Sequence, residues 1–240
     1  MVCDLQLFVL GTTKYSESSL ILHAYTQQLG RMTLLLKGIR NAKKGSVRTA
    51  LFQPLSSLDA LVDYKPNRSM HYLKEVKIHR VYTSLHRDIE KSTVVLFLSE
   101  VLGQLLQEET AENEGLYTFV LNALIWFDLE EKAPNFHLKF LTELTKFLGI
   151  APNFMGPKTN YFNLESGAYS SFPSKSNSLT DSDLEQWEAL HQTTFEALKG
   201  LKFNQILRQK LLSQIIVYYR LHLPNFKEPK SLAVLHGLFQ

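Results

Sequence analysis

RMTLLLKG, residues 31–38, puts Met32, Leu34 and Leu36 at every second position and runs straight into IRNAKKGSVRTA, residues 39–50. A period of two is that of a strand with one covered face. The same twenty-residue stretch carries Arg31, Lys37, Arg40, Lys43, Lys44 and Arg48 and no acidic residue, although the whole chain has a formal net charge of only +3. Acids gather elsewhere, as in QEETAENE, residues 107–114. The average charge therefore hides a basic segment that directly follows a strand.

Working outward, LQLFVLG repeats the pattern with Leu5, Leu7 and Val9, and SSLILHAYTQ, Ser18 to Gln27, lies between the two runs. QQLGR supplies a turn in which Gly30 can take a positive φ at no steric cost. SSLDALVDY (56–64) and MHYLKEVKIHRVY (70–82) flank the turn-forming Lys65-Pro66-Asn67-Arg68. Five short strands in about 80 residues suit a small closed sheet such as the oligonucleotide-binding (OB) barrel, because closure removes exposed edges. A three-stranded sheet plus a hairpin is the alternative.

After Ser84 the period becomes helical. STVVLFLSEVLGQLL (92–106), with Ser92 as its expected cap, is apolar on nearly every side and predicts a buried helix. NEGLYTFVLNALIWFDLEE and APNFHLKFLTELTKFLG follow, the second with Pro134 near its start and Gly149 past its end. From Ile150 to Ser178 periodicity lapses, and YFNLESGAYSSF reads as a hairpin turning at Glu165-Ser166-Gly167. A helix is expected from a Thr180 cap to Gly200, and another along Leu207, Leu211 and Ile215 to near Pro224; KSLAVLHGLF is a short amphipathic segment. The expected class is α+β: a five-stranded OB barrel over residues 1–82, then an all-α domain over 83–240 with a small hairpin-like insertion at about 151–178.

With 45% apolar residues, 15 Phe, 10 Tyr and 2 Trp the chain can fill cores. The first residues read as a strand and not as a signal peptide, no apolar run approaches the roughly 18 residues of a membrane span, and Cys3 stands alone. These point to a cytoplasmic protein. Asn67-Arg68-Ser69 is then a chance sequon.

The catalytic motifs in the chain are incomplete. His86-Arg87-Asp88 lacks the rest of a kinase catalytic loop, and Lys44-Gly45-Ser46 has the wrong order for a phosphate loop. The eight histidines include no i, i+4 pair, and with one cysteine there is no zinc signature. Glu108/Glu109 and Glu130/Glu131 are adjacent and diverge on a helix, as solvated faces do. No catalytic residue, cofactor or metal is expected. Single-strand grooves combine cations with aromatic faces, and Tyr15, Tyr25, Tyr64 and Tyr72 are available beside the basic segment. The expected DNA-binding set is Lys37, Arg40, Lys43, Lys44 and Arg48, with Lys14 and Arg31 as lesser members. Lys199, Lys202, Arg208 and Lys210 form a second basic set.

VLGTTKYSESSLILHAYTQQLGRMTLLLKGIR and LFQPLSSLDALV resemble the amino-terminal domain of the bacterial recombination mediators of the RecO family: a Tyr-x-Glu-Ser turn at 15–18, a Thr-x-x-x-Gly step at 26–30, then Lys37-Gly38 and basic residues. YLKEVKIHRVYTSLHRD resembles the family's fifth strand and its entry to the helical domain, and YYRLHLPNFKEPKSLAVL its carboxy-terminal signature. The resemblance implies an OB barrel and a helical domain. It implies a bacterial, nucleoid-associated protein that binds single- and double-stranded DNA, anneals complementary strands and assists recombinase loading onto DNA coated by single-strand-binding protein. RecR and the carboxy-terminal tail of single-strand-binding protein are the implied partners. Many relatives carry a four-cysteine zinc module where Pro152 to Phe172 has none; Tyr161, Phe162, Tyr169 and Phe172 are expected to hold that lobe by packing. The rival readings are a nucleic-acid-processing enzyme that docks through the barrel, and an adaptor for an acidic protein.

Overall fold

The computed structural model describes residues 1–38, 49–107, 111–174 and 177–238. Five strands, β1 (Val2–Lys14), β2 (Leu20–Thr26), β3 (Gly30–Leu36), β4 (Ser57–Asp63) and β5 (His71–Arg80), close into a barrel in the order β1-β2-β3-β5-β4, the OB arrangement. The three-stranded alternative is excluded. All neighbouring pairs are antiparallel except β3 and β5, which run parallel through Leu34↔His71 and Leu35↔Tyr72. Single extra residues bend the strands toward closure: Leu10 in β1, and Lys74 and His79 in β5.

The barrel core is the expected period-two set, Leu5, Leu7, Val9, Met32, Leu34 and Leu36, joined by Leu22, Leu58 and Val62 and plugged by Phe52. The outer face of β1 and β2 is also covered. Phe8 and Tyr25 lie 4.7 and 6.3 Å, ring to ring, from Tyr117 of the helix Glu114–Leu129, and this is why LQLFVLG carries apolar residues at the intervening positions too. Two compact units are formed: residues 1–129 with 229–238, which hold the barrel, and residues 130–228.

In the first unit, α1 (Ile89–Leu105) is capped by Asp88, whose carboxylate accepts from the Lys91 N–H at 2.9 Å. Ser92 is not the cap; it lies in the first turn and its hydroxyl donates to the Ile89 carbonyl. The expectation missed the short Asp88 side chain four residues earlier. α2 (Glu114–Leu129) ends in a dense polar knot. Both oxygens of Asp128 accept from the chain that leaves the barrel: backbone N–H groups of Thr83 (2.8 Å), Ser84 (2.7 Å) and Leu85 (3.0 Å). The buried Lys91 ammonium donates to Ser84 Oγ at 2.7 Å and to the Asp128 carbonyl at 3.0 Å. A carboxylate at a helix C-terminus opposes the dipole, so these donors are what keep it there. α6 (Leu232–Leu238) returns to α1, where Glu100 accepts from the Lys230 and Ser231 N–H groups at 2.8 and 2.9 Å.

In the second unit, α3 (Phe136–Phe147), α4 (Asp181–Gln192) and α5 (Gln205–His222) pack beside a small sheet of order β7-β6-β8, from β6 (Tyr161–Asn163), β7 (Ala168–Ser170) and β8 (Ser178–Thr180). The hairpin is as expected, with Gly167 at φ 64°; β8 is an addition that no local turn announces, because it pairs with β6 and not with its chain neighbour β7. α4 stops at Gln192, short of the expected Gly200, because the β-branched Thr193 leaves the helix and both its N–H and its hydroxyl bond back to the Ala189 carbonyl. Thr180 occupies the cap position without a side-chain bond.

Phe162 is the centre of this lobe, within 5.2 Å of Phe154, 5.7 Å of Tyr169 and 6.4 Å of Trp187 between ring centres. The Tyr169 hydroxyl donates to Glu188, which also pairs with Lys158 at 2.5 Å. Phe172 takes no part; it is 80% exposed, because β7 ends at Ser170 and Pro173 turns the chain away. The stretch does not suit a zinc ion: 152–172 contains neither cysteine nor histidine, and aromatic rings fill its interior.

Two outcomes follow for stability. Burial alone would raise the Asp128 pKa, but the N–H donors of Thr83, Ser84 and Leu85 outweigh it and bring it from 3.8 to about 2. Its contribution is therefore full above about pH 4 and is lost as pH falls toward 2. In acid titration of thermal unfolding, Asp128→Asn should cost about 2 kcal/mol at pH 7 and flatten the decline between pH 4 and 2. Separately, Gly167→Ala would set a Cβ 2.7 Å from the Tyr218 hydroxyl at a positive φ, and calorimetry should show a loss of roughly 2 kcal/mol.

Candidate nucleic-acid interface

The β3–β5 seam is only two residue pairs long, and a cavity opens at each end of it. The cavity beyond the seam, about 320 Å³, is lined by Leu36 at the end of β3 and Lys37 after it, by Leu51, and by Leu73, Lys74 and Glu75 of β5. Lys37 is exposed, and its ammonium lies 4.5 Å from the centre of the Tyr72 ring. Such a contact favours a cation by about 0.5–1 kcal/mol at an exposed site. Gly38 follows with φ 66°, a conformation that turns the chain at low cost only for glycine. Lys74 is one of the two bulged residues of β5, freed from the ladder and turned toward the same cavity.

Lys14 belongs to the same end of the barrel. It pairs with Leu20, which pairs with Leu36, so Lys14 and Lys37 sit at the rim two strands apart, on the order of 10 Å. Among the described residues neither makes an ion pair. Arg40, Lys43, Lys44 and Arg48, with Gly45, lie outside the described residues; the chain enters that segment beside Lys37 and leaves it at Thr49, next to the cavity residue Leu51.

Arg31 lies elsewhere, at the start of β3 and on the order of 20 Å along the strand from Lys37. Its half-buried guanidinium donates to the Gly103 carbonyl at 2.7 Å, and burial lowers its pKa. There it lines the second cavity, about 330 Å³, together with Thr33, Tyr64, Arg68, Ser69 and His71. Burial and then the Arg68 charge lower the His71 pKa, against an opposing pull from Asp63.

The four tyrosines divide. Tyr25 is 1% exposed and sealed against Tyr117, so it is not a stacking surface. Tyr64 packs on His71 at 4.9 Å, Tyr72 seats the Lys37 ammonium, and Tyr15 is exposed in the β1–β2 turn. Two members of the second basic set are matched with carboxylates, Lys199 with Glu130 and Lys210 with Asp183 at 2.5 Å, and Arg208 is fixed by donating to the Phe203 carbonyl at 2.6 Å. Sequence reading missed Lys74 and Arg68. Both were visible in strands and turns already assigned, but only the barrel brings them to cavities. His86-Arg87-Asp88 has a structural use, with His86 Nε2 donating to the Pro54 carbonyl at 2.8 Å and Asp88 capping α1.

Comparison with known proteins agrees with this architecture. The family described as "Recombination protein O N terminal" matches residues 1–82, and "Recombination protein O C terminal" matches residues 86–232. The "DNA repair protein RecO" of Christiangramia forsetii is 34% identical over 239 residues, 100% of both chains. That of Flavobacterium psychrophilum is 36% identical over 231 residues, and that of Bacteroides fragilis 35% over 235, each covering 96% of both chains. With both halves matched in order and relatives above 30% identity along their full length, the chain belongs to the RecO family of DNA repair proteins.

Proposed function

We propose that this DNA repair protein is a recombination mediator that holds single- and double-stranded DNA by their phosphates at the Lys14–Lys37 rim of its barrel and thereby anneals complementary strands. The carrying observation is Lys37, seated over Tyr72 beside Lys74 and leading into the acid-free run with Arg40, Lys43, Lys44 and Arg48. Contacts of this kind position a strand and do not read its bases. Annealing needs no bond-making group: complementary strands pair once their repulsion is screened and they are brought together. The same reading makes the protein a loader of recombinase onto strands coated by single-strand-binding protein. Its partners are then RecR and the acidic tail of that protein, as the family resemblance implies, and it acts in the cytoplasm at the nucleoid. No helix among the described residues is long and apolar enough to cross a membrane.

Neutralising about five phosphates of a single strand should give a slope of log affinity against log salt on the order of −3.5. Lys37→Gln should reduce that slope by about 0.7. Replacing Lys37, Arg40, Lys43 and Lys44 together by Gln should abolish annealing of labelled complementary strands while circular dichroism shows an unchanged fold. A salt-independent affinity would sink the phosphate reading. Cleavage of the strand in Mg²⁺ would favour a processing enzyme, and binding to an acidic protein that single-stranded DNA fails to displace would favour an adaptor.

A further inference from the structure

We propose that the hollow between the start of β3 and the β4–β5 turn is a receptor for a phosphomonoester, the terminal phosphate of a nucleotide or of a strand end, gripped by Arg31 and Arg68. This site lies on the far side of the β3–β5 seam from Lys37, and the general binding of DNA described above does not use it. At about 330 Å³ it is large enough for a nucleotide-sized ligand.

The donors that line it are of the right kind and one of them is fixed. A guanidinium has five N–H donors. Arg31 spends one on the Gly103 carbonyl at 2.7 Å, which holds the group in place and leaves the rest of its fork for a ligand. Arg68 brings a second permanent charge from the turn, and Thr33 and Ser69 add hydroxyls. His71, 6% exposed, accepts the Lys65 N–H on Nδ1 at 3.3 Å, so its neutral ring carries the proton on Nε2 and is a further donor. The Tyr64 ring, tilted against His71 at 4.9 Å, gives the hollow an aromatic wall.

Charge matching selects the ligand. No carboxylate is among the described residues that line the hollow. Asp63, close enough to act on His71, lies 3.9 Å from the N-terminal ammonium. Two guanidiniums balance the −1.5 to −2 charge of a phosphomonoester better than the single charge of an internal phosphodiester. The lining is assembled from three separate segments, β3, the β4–β5 turn and Gln107, which makes a hollow and not a track. A chain end can enter it without having to leave on the other side.

The strand-end form of this inference rests on the barrel binding DNA; the nucleotide form does not. The test uses the full-length protein and three otherwise identical labelled single strands, bearing a phosphate at the 5′ end, at the 3′ end, or at neither, with calorimetry of adenosine 5′-monophosphate against adenosine. One phosphorylated end should tighten binding by about tenfold, the gain expected of a charge-assisted contact. Arg68→Gln, in an exposed turn, should erase that preference and leave the affinity for the unphosphorylated strand within about twofold. Lys37→Gln should weaken all three strands together and keep their ratio. Preference among strands without nucleotide binding assigns the strand end, and nucleotide binding without any strand binding supports the hollow while removing the DNA-holding reading. Equal affinity for all three strands with no nucleotide bound overturns the inference, as does a preference that survives Arg68→Gln.

Discussion

The short parallel seam between β3 and β5 is the constraint from which the proposed binding surface follows. Closing a five-stranded sheet forces these strands together, yet only Leu34↔His71 and Leu35↔Tyr72 achieve register. On either side the strands part, and the backbone there must be lined by side chains or left open to solvent. Both openings carry cations, Lys37 and Lys74 beyond the seam and Arg31 and Arg68 before it. The two seam residues of β5 face one opening each: Tyr72 beneath Lys37, His71 beside Arg68. One topological necessity thus yields two electropositive hollows with an aromatic side chain at the root of each.

Holding that seam depends on how β5 hands the chain to the helices. The residues that follow β5 are tied to the end of α2 by Asp128, which gathers three backbone donors and two hydroxyls, with Lys91 closing the knot from α1. Tyr117 of the same helix seals Phe8 and Tyr25 on the outer face of β1 and β2. The barrel is therefore buttressed on one flank, and β3 and β5 are left to present their exposed positions.

Much of this was legible in residue order. Alternation at Leu5, Leu7 and Val9, and again at Met32, Leu34 and Leu36, reports burial directly, because a strand's period is visible without knowing its neighbour. What lay hidden was everything set by a partner distant in sequence. Tyr25 looked available because Tyr117, which buries it, is far along the chain. Lys199 and Lys210 looked like an open basic set because Glu130 and Asp183 reach them only in the fold. Lys74 and Arg68 were read as strand and turn, since nothing local says that closure would set them beside Lys37 and Arg31. Local capping differs for another reason: Asp88 and Ser92 are both competent caps, and the choice falls to the residue that still has extended geometry immediately before the helix, which is Asp88.

The distribution of compensation separates the cations matched with carboxylates from those on which the proposed ligand sites rest. Lys139 and Lys146 share Glu143, Lys158 meets Glu188, and Lys77 meets Asp59 at 3.6 Å. Each of these already faces a carboxylate, so an approaching phosphate would have to displace a charge already in place. Lys37 instead sits, among the described residues, over a ring face, a contact of about 0.5–1 kcal/mol that a phosphate can share without displacing, because the ammonium keeps its outward N–H donors. Arg31 is similar, spending one N–H on a neutral carbonyl and keeping its full charge. A surface built this way holds its cations in position at little electrostatic cost and leaves their charge uncancelled, which is what reversible capture of a polyanion requires.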